Sequence, residues 1–376
     1  MRMTAAVMYE QGLPAPYVES QPLKIEEVEL DGPGEGEVLI EVRAAGLCHS
    51  DLSQIAGLRK RTVPVVMGHE GAGIVREVGQ GVTQFKPGDH VVMTVGSGCG
   101  HCRFCVDSRP VLCDVVASAR GRGILMSGRS VLTRNGRPLF HHSGISSFAQ
   151  YAVSSPGSLV KVDQSIPFDV AAMFGCAVVT GAGAVFNAAR VRPGQHVAVI
   201  GLGGVGLNSV MAARIAGASQ IVGVDINDSK FPLARELGCT HTFLANEPDL
   251  VERVKDATAG GVDFAFEISG SQGGMTTANA LTRKGGEIVC VGLGASTDLF
   301  QYAHTALVSE EKVFRGSLMG SCVPNRDLPL YFRYYQEGRL PVNRLMSGTM
   351  DFDDLNANLD RLEHGAVLRQ VLLPHG

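Results

Sequence analysis

Residues 196–207 read HVAVIGLGGVGL. A short β-branched run enters Gly-x-Gly-x-x-Gly and a helix-compatible stretch, 207–216, leaves it, so the spacing predicts a strand, a tight turn and a helix. Gly201 allows the turn, Gly203 lets the backbone approach a pyrophosphate, and Gly206 lets helix and strand pack closely, with Gly204 and Val205 completing the loop. The helix N-terminus then presents its positive dipole end to the phosphates. A second apolar run, 220–224, ends in Asp225, about 20 residues beyond the loop, where a ribose-binding acid belongs. A carboxylate there accepts hydrogen bonds from both adenosine ribose hydroxyls and repels a 2′-phosphate, which favours NAD over NADP.

Working outward, helical and extended patterns alternate: 230–237 helical, 242–244 extended, 250–258 helical, then strands at 262–268 and 286–292. That order predicts an α/β doubly wound parallel sheet over about residues 180–320. Residues 4–163 differ, with short β-rich runs punctuated by glycine, such as 36–42 and 88–92. No fixed-period repeat or low-complexity tract is present. At 376 residues the chain exceeds what one hydrophobic core supports, and 45% of it is hydrophobic, so two well-packed domains are expected.

The formal net charge of -4 and a pI near 6.3 leave no electrostatic footprint for nucleic acid or an anionic membrane. Residues 1–12 lack the apolar core of a signal peptide. The apolar run 197–218 is broken by five glycines, Asn208 and Arg214, which argues against a span. A cytoplasmic protein is expected, and in that compartment clustered thiols favour metal over disulfides.

Four of the nine cysteines, Cys99, Cys102, Cys105 and Cys113, fall within fifteen residues. Overlapping Cys-x-x-Cys steps bring thiolates to one zinc, and four thiolates leave no open position, so this lobe, 96–114, reads as structural. A catalytic zinc needs three protein ligands and a vacancy. Candidate donors stand in Cys48-His49-Ser50-Asp51, in Gly68-His69-Glu70 and in Gly175-Cys176. Each alone reads more readily as a buried small thiol or a structurally satisfied imidazole. Cys239, Cys290 and Cys322 sit in apolar or turn contexts.

The order Cys-His-Ser-Asp, Gly-His-Glu, four-cysteine lobe, Gly-Cys, GLGGVG, Val-Asp resembles the zinc-dependent alcohol dehydrogenases of the medium-chain dehydrogenase/reductase superfamily over nearly the whole chain. The resemblance implies a Rossmann coenzyme domain, 180–319, and a β-rich GroES-like catalytic domain made of 1–179 and 320–376, with the active site in the cleft between them. It implies two zinc ions per chain, one catalytic on Cys48, His69 and Cys176 and one structural on Cys99, Cys102, Cys105 and Cys113. Asp51 matches the carboxylate that orients the zinc-bound imidazole, Glu70 an acid assisting ligand exchange, and Ser50 the first hydroxyl of a proton relay. Ser53 stands where many members complete that relay with histidine. For NAD, Asp225 and Lys230 match the ribose contacts, His49 and Arg369 the pyrophosphate contacts, and Thr180, Val205, Val291 and Leu293 further cofactor contacts.

The implied activity is reversible hydride transfer between a primary alcohol, aromatic or allylic among them, and NAD, giving the aldehyde. Pocket positions carry Arg59, Val95, Ser143, Leu293 and Leu318. The glutathione-dependent formaldehyde dehydrogenases of the family have an acid near the first of these and an arginine soon after the fourth lobe cysteine, where this chain has Arg59 and Ala117. An S-(hydroxymethyl)glutathione dehydrogenase is therefore the second reading, and a non-catalytic NAD sensor with one structural zinc the third. A nucleic-acid zinc ribbon is disfavoured, because only Arg103 and Arg109 flank the cysteines. The stretch 117–142 resembles the long loop of dimeric members, which implies a homodimer paired through 286–293, with a small-molecule substrate and no membrane or nucleic-acid partner.

Overall fold

The computed structural model describes residues 1–95 and 97–376, so the first residue of the expected 96–114 lobe, Gly96, lies outside the described residues. The chain packs as two compact units. Met1–Cys176, Val323–Arg333 and Val342–Gly376 form one; Ala177–Cys322 and Tyr334–Pro341 form the other. The C-terminal segment is thus divided, with Tyr334–Pro341 packing alongside 177–322.

The second unit holds a six-stranded parallel sheet in the order His241–Leu244, Gln220–Asp225, His196–Ile200, Val262–Glu267, Thr282–Cys290, Val313–Gly316. This is the doubly wound order, with the strand direction of travel reversing between His196–Ile200 and Val262–Glu267. Both faces of the sheet are covered, which explains why its strands read as continuous apolar runs. Ala198, Val222, Val224, Ala265 and Ile288 are all fully buried in one core cluster. The helix after the glycine loop spans Gly204–Ala216 and so begins inside the loop, three residues earlier than its sequence pattern suggests. The segment around Lys230 is a short 3-10 turn, Asp228–Lys230, followed by the helix Phe231–Leu237, whose Pro232 lies in the first turn, where no N–H is missed.

Of the 286–293 region expected at a dimer interface, 287–290 belongs to the strand Thr282–Cys290 and is paired with a neighbouring strand on each side. The two edge strands are His241–Leu244 and Val313–Gly316, the latter a strand the sequence pattern did not single out. Residues 197–218 form a strand, a turn and a helix, whereas Phe168–Ala189 is the one helix among the described residues long and apolar enough to cross a membrane by length and composition. Some 89% of its most apolar window is buried inside the protein, as in a core helix.

The first unit combines a closed barrel of Arg2–Met8, Leu23–Leu30, Leu132–Arg134, Arg137–His141 and Val65–Val66 with a seven-stranded sheet. In that sheet Val38–Leu47 is central, flanked by Gly71–Val78 and by the C-terminal strand Arg369–Leu372. The antiparallel register sets Gln370 opposite Leu47. Arg369 is thereby delivered to the end of the strand from which Cys48 emerges.

Candidate active site

Three segments remote in sequence converge within the first unit. Cys48 follows Val38–Leu47 and opens the helix His49–Ile55, where its N–H donates to Asp51 Oδ2 at 3.1 Å. His69 leaves a turn at Gly68, whose φ of +90° and close packing both require glycine: a Cβ there would sit 2.4 Å from the Phe148 nitrogen. Cys176 lies on a π-helical turn, Phe174–Val178, of the kind that recurs at functional sites. Gly175 beside it lets that turn approach the Met93 carbonyl, which a Cβ would meet at 2.3 Å.

The three ligand atoms of Cys48, His69 and Cys176 lie within 4.8 Å of one another, and all three residues are buried. Asp51 Oδ1 is 2.7 Å from His69 Nδ1, and His69 Nε2 is 3.4 Å from Cys176 Sγ. Nitrogen and sulfur bound to one tetrahedral zinc stand roughly 3.6 Å apart, so the donor set fits that ion and supplies three ligands with one position left over. Hydrogen bonding with Cys176 draws the Cys48 thiol well below its ordinary range despite burial, and the Cys176 thiol is correspondingly pushed well up. Burial opposes protonation of His69, yet the Asp51 carboxylate raises it well above the usual imidazole range.

Glu70 is fully buried and pairs with the guanidinium of Arg369, which is itself buried; burial pushes the Glu70 carboxyl up to about 7, against the pull of Arg369. Arg369, the residue expected at a pyrophosphate, also pairs with Glu70. His49 is exposed. Ser50 is half-buried and its carbonyl oxygen accepts from Arg59 Nη2 at 3.2 Å. The Ser53 hydroxyl donates to the His49 carbonyl at 2.8 Å, one turn back in its own helix.

The cysteine lobe assembles as the spacing suggests. All four thiols are free and mutually within 4.8 Å, with Cys99 Sγ 4.0 Å and Cys102 Sγ 3.6 Å from Cys105 Sγ. Sulfurs on one tetrahedral zinc lie roughly 3.8 Å apart. Backbone N–H groups of Cys99 and Cys102 donate to Cys113 and Cys99 sulfurs at 3.3 Å, which stabilises thiolates. No sulfur position is left over, in contrast to the other set.

In the second unit Gly201 has a φ of +98°, and a Cβ on Gly206 would stand 1.9 Å from the Gly201 carbonyl oxygen. A Cβ on Gly203 would meet nothing within 4 Å, so the loop backbone is open for a close-approaching group such as a pyrophosphate. Asp225 accepts from the Leu202 N–H at 2.7 Å and from Lys230 Nζ at 3.0 Å, which joins strand end, glycine loop and lysine. Thr180 Oγ1 lies 3.7 Å from Met319 Sδ; Val291 is buried and Leu293 is exposed.

Two buried groups escaped sequence reasoning. Glu267 ends a central strand and accepts from the Ser269 hydroxyl and the Gly270 N–H. His142 is fully buried, with neither ring nitrogen hydrogen-bonded; its Nδ1 is 3.5 Å from Asp51 Oδ1 and its ring stands edge-on to His69 at 5.5 Å. The only signal for it was the His141-His142 pair ahead of Ser143-Gly144.

Comparison with known proteins agrees with this geometry. The family described as alcohol dehydrogenase GroES-like domain matches residues 34–164, and that described as zinc-binding dehydrogenase matches 204–334. An S-(hydroxymethyl)glutathione dehydrogenase of Paracoccus denitrificans is 35% identical, over 99% of this chain and 100% of its own. An alcohol dehydrogenase zinc-binding domain protein from Burkholderia ambifaria superposes with a TM-score of 0.93 at 34% identity. Benzyl alcohol dehydrogenase from Acinetobacter calcoaceticus does so at 0.92 and 32%, each match covering 99% of both chains. With a closed four-cysteine set, an open Cys-His-Cys set and a dinucleotide loop in place, the cofactors are a structural zinc, a catalytic zinc and NAD, and the chain belongs to the zinc-dependent alcohol dehydrogenases of the medium-chain dehydrogenase/reductase superfamily.

Proposed function

We propose that this protein oxidises a primary alcohol reversibly to its aldehyde with NAD. The observation that carries the reading is the buried Cys48-His69-Cys176 set, three donors with Asp51 locking the imidazole. These three hold the catalytic ion, and Cys99, Cys102, Cys105 and Cys113 hold the structural one. Zinc held in the open set would supply a Lewis acid that lowers the pKa of an alcohol hydroxyl, and bound NAD would supply the hydride acceptor.

The chain's own groups do the rest. Asp51 keeps the proton of His69 on Nδ1 and the Nε2 lone pair free. Ser50 Oγ takes the hydroxyl proton, and Ser53, spent on its own helix, leaves the onward transfer to another group. Glu70, tied to Arg369, stands beside His69 as the acid for ligand exchange. Gly201, Gly203, Gly204 and Gly206 cradle the pyrophosphate, Asp225 with Lys230 takes the ribose, and His49, Thr180, Val205, Val291 and Leu293 complete the cofactor contacts. Residues 180–319 act as the NAD-binding domain and 1–179 with 320–376 as the catalytic one. A cytoplasmic homodimer joined at the free Val313–Gly316 edge accompanies this reading, supported by exposed Val313, Val308 and Leu299.

The relative named S-(hydroxymethyl)glutathione dehydrogenase supports a second reading, turnover of the glutathione adduct of formaldehyde. Arg59 and Ala117, at the two positions where that subclass differs, favour the alcohol. NADH absorbance with benzylic, allylic and aliphatic alcohols and with S-(hydroxymethyl)glutathione decides between them. Chelator-sensitive NAD reduction by an alcohol class is expected; turnover of the adduct far above every alcohol would reverse the choice.

A further inference from the structure

Three arginines gather beside the Asp51-His69 pair without a carboxylate of their own. Arg59 reaches the Ser50 carbonyl; Arg61 Nε donates to Gln54 Oε1 at 2.7 Å and its Nη2 lies 3.4 Å from Ser143 Oγ; Arg120 Nη2 donates to the Val95 carbonyl at 2.6 Å. Among the described residues no Asp or Glu lies within ion-pair distance of any of the three. The Nε atoms of Arg59 and Arg120 are buried and have no acceptor. Asp51 is already engaged by His69 and the Cys48 N–H.

Burial together with Arg61 draws Arg120 down to about 10. Arg120 also lines a small cavity of mixed character, with Ser143 and Ser97 on one hand and Val116, Ile124 and Met126 on the other. Ser143 sits at a φ of +58°, a left-handed conformation that a non-glycine residue holds at a cost. Half-buried guanidinium groups with unmade hydrogen bonds are costly unless an anion completes them. Their planar forks match the two oxygens of a carboxylate.

We infer that Arg59, Arg61 and Arg120 form a subsite for a carboxylate on the substrate, so that the alcohol oxidised here carries its hydroxymethyl group a short spacer away from an acid group. This rests on the alcohol-oxidising reading above, which it narrows. The carboxylate belongs either to a small hydroxymethyl acid or to a glutathione adduct, and it takes no part in the redox step: the alcohol loses hydride to NAD and a proton to Ser50, and the acid group is unchanged.

The test uses the zinc- and NAD-loaded full chain. Calorimetric titration with benzoate, benzamide and phenyl phosphate reads the subsite directly, and kcat/KM for 4-(hydroxymethyl)benzoate against benzyl alcohol reads it in turnover. Benzoate should bind at least about tenfold tighter than benzamide, with a similar preference in kcat/KM. Arg61→Met with Arg120→Met should remove the preference, and the corresponding Lys pair should restore part of it. Equal binding of benzoate and benzamide by the unaltered protein, or binding of phenyl phosphate alone, would overturn the carboxylate subsite with no variant needed. S-(hydroxymethyl)glutathione turned over in preference to 4-(hydroxymethyl)benzoate, and lost in the Met pair, assigns the carboxylate to the peptide adduct; the reverse assigns it to a small acid. Failure of every alcohol and adduct to reduce NAD would remove the dehydrogenase reading, while the benzoate and benzamide titrations still decide this one.

Discussion

Asp51 Oδ1 stands 2.7 Å from His69 Nδ1 with both side chains buried, while His69 Nε2 faces Cys176 Sγ at 3.4 Å. A carboxylate on one ring nitrogen settles which tautomer is present and leaves the other nitrogen as a lone-pair donor. Asp51→Asn keeps the shape and removes the charge. Zinc affinity of the open set should fall about tenfold to a hundredfold, seen by competition with a chelator, while the cysteine-lobe ion stays bound.

The two cysteine-containing sets should separate by metal counting. Cys48→Ser is expected to lower zinc from two ions per chain to one and to abolish NAD reduction, with the fold retained. Cys102→Ser should instead loosen the lobe around residues 97–113 and increase proteolysis there, because a four-thiolate site contributes directly to local folding. A count of two in Cys48→Ser would rule out that residue as a ligand.

Asp225 joins the Leu202 amide, Lys230 and the strand end. Replacing it with Gly removes the repulsion of a 2′-phosphate and the acceptor for ribose hydroxyls together. The ratio of kcat/KM for NAD over NADP should fall by at least about a hundredfold. An unaltered ratio would place cofactor choice elsewhere.

Ser50→Ala tests the first proton acceptor. Alcohol oxidation should rise with pH in the unaltered enzyme as the hydroxyl proton leaves, and the variant should show a flatter profile with a lower plateau. A profile of the same shape would take Ser50 out of the relay.

His141, distinct from the site, gives a stability signature. Burial holds its imidazole down at about 4, and its Nε2 accepts from the Val131 N–H at 3.4 Å, which requires the neutral ring. The unfolded chain takes up this proton near its ordinary value of 6.5, the native state only near 4, so stability is complete above pH 6.5 and declines as pH falls from there to 4. The full loss is about 3 kcal/mol. In His141→Leu, urea midpoints between pH 4.5 and 7.5 should lose most of that slope, with a plateau lower by about 1 kcal/mol for the orphaned Val131 amide.

The glycine loop, its following helix, the acid at Asp225 and the four-cysteine lobe could be read directly from the chain. Each is built from residues close in sequence, whose spacing is set by a turn or a strand, so local geometry determines them. The sixth strand, Val313–Gly316, was missed because four residues at a sheet edge, with no residue fully buried, leave almost no pattern.

What the amino-acid order alone determined is therefore the class of chemistry: a dinucleotide loop and two sets of metal donors. What only the tertiary structure decided is which donors meet. Cys48, His69 and Cys176 are brought together by the ends of separate elements, Arg369 reaches Glu70 because the register sets Gln370 against Leu47, and His142 is drawn against Asp51 beside three arginines that have no carboxylate partner among the described residues. Such contacts depend on long-range strand pairing and burial, which no short window of sequence encodes.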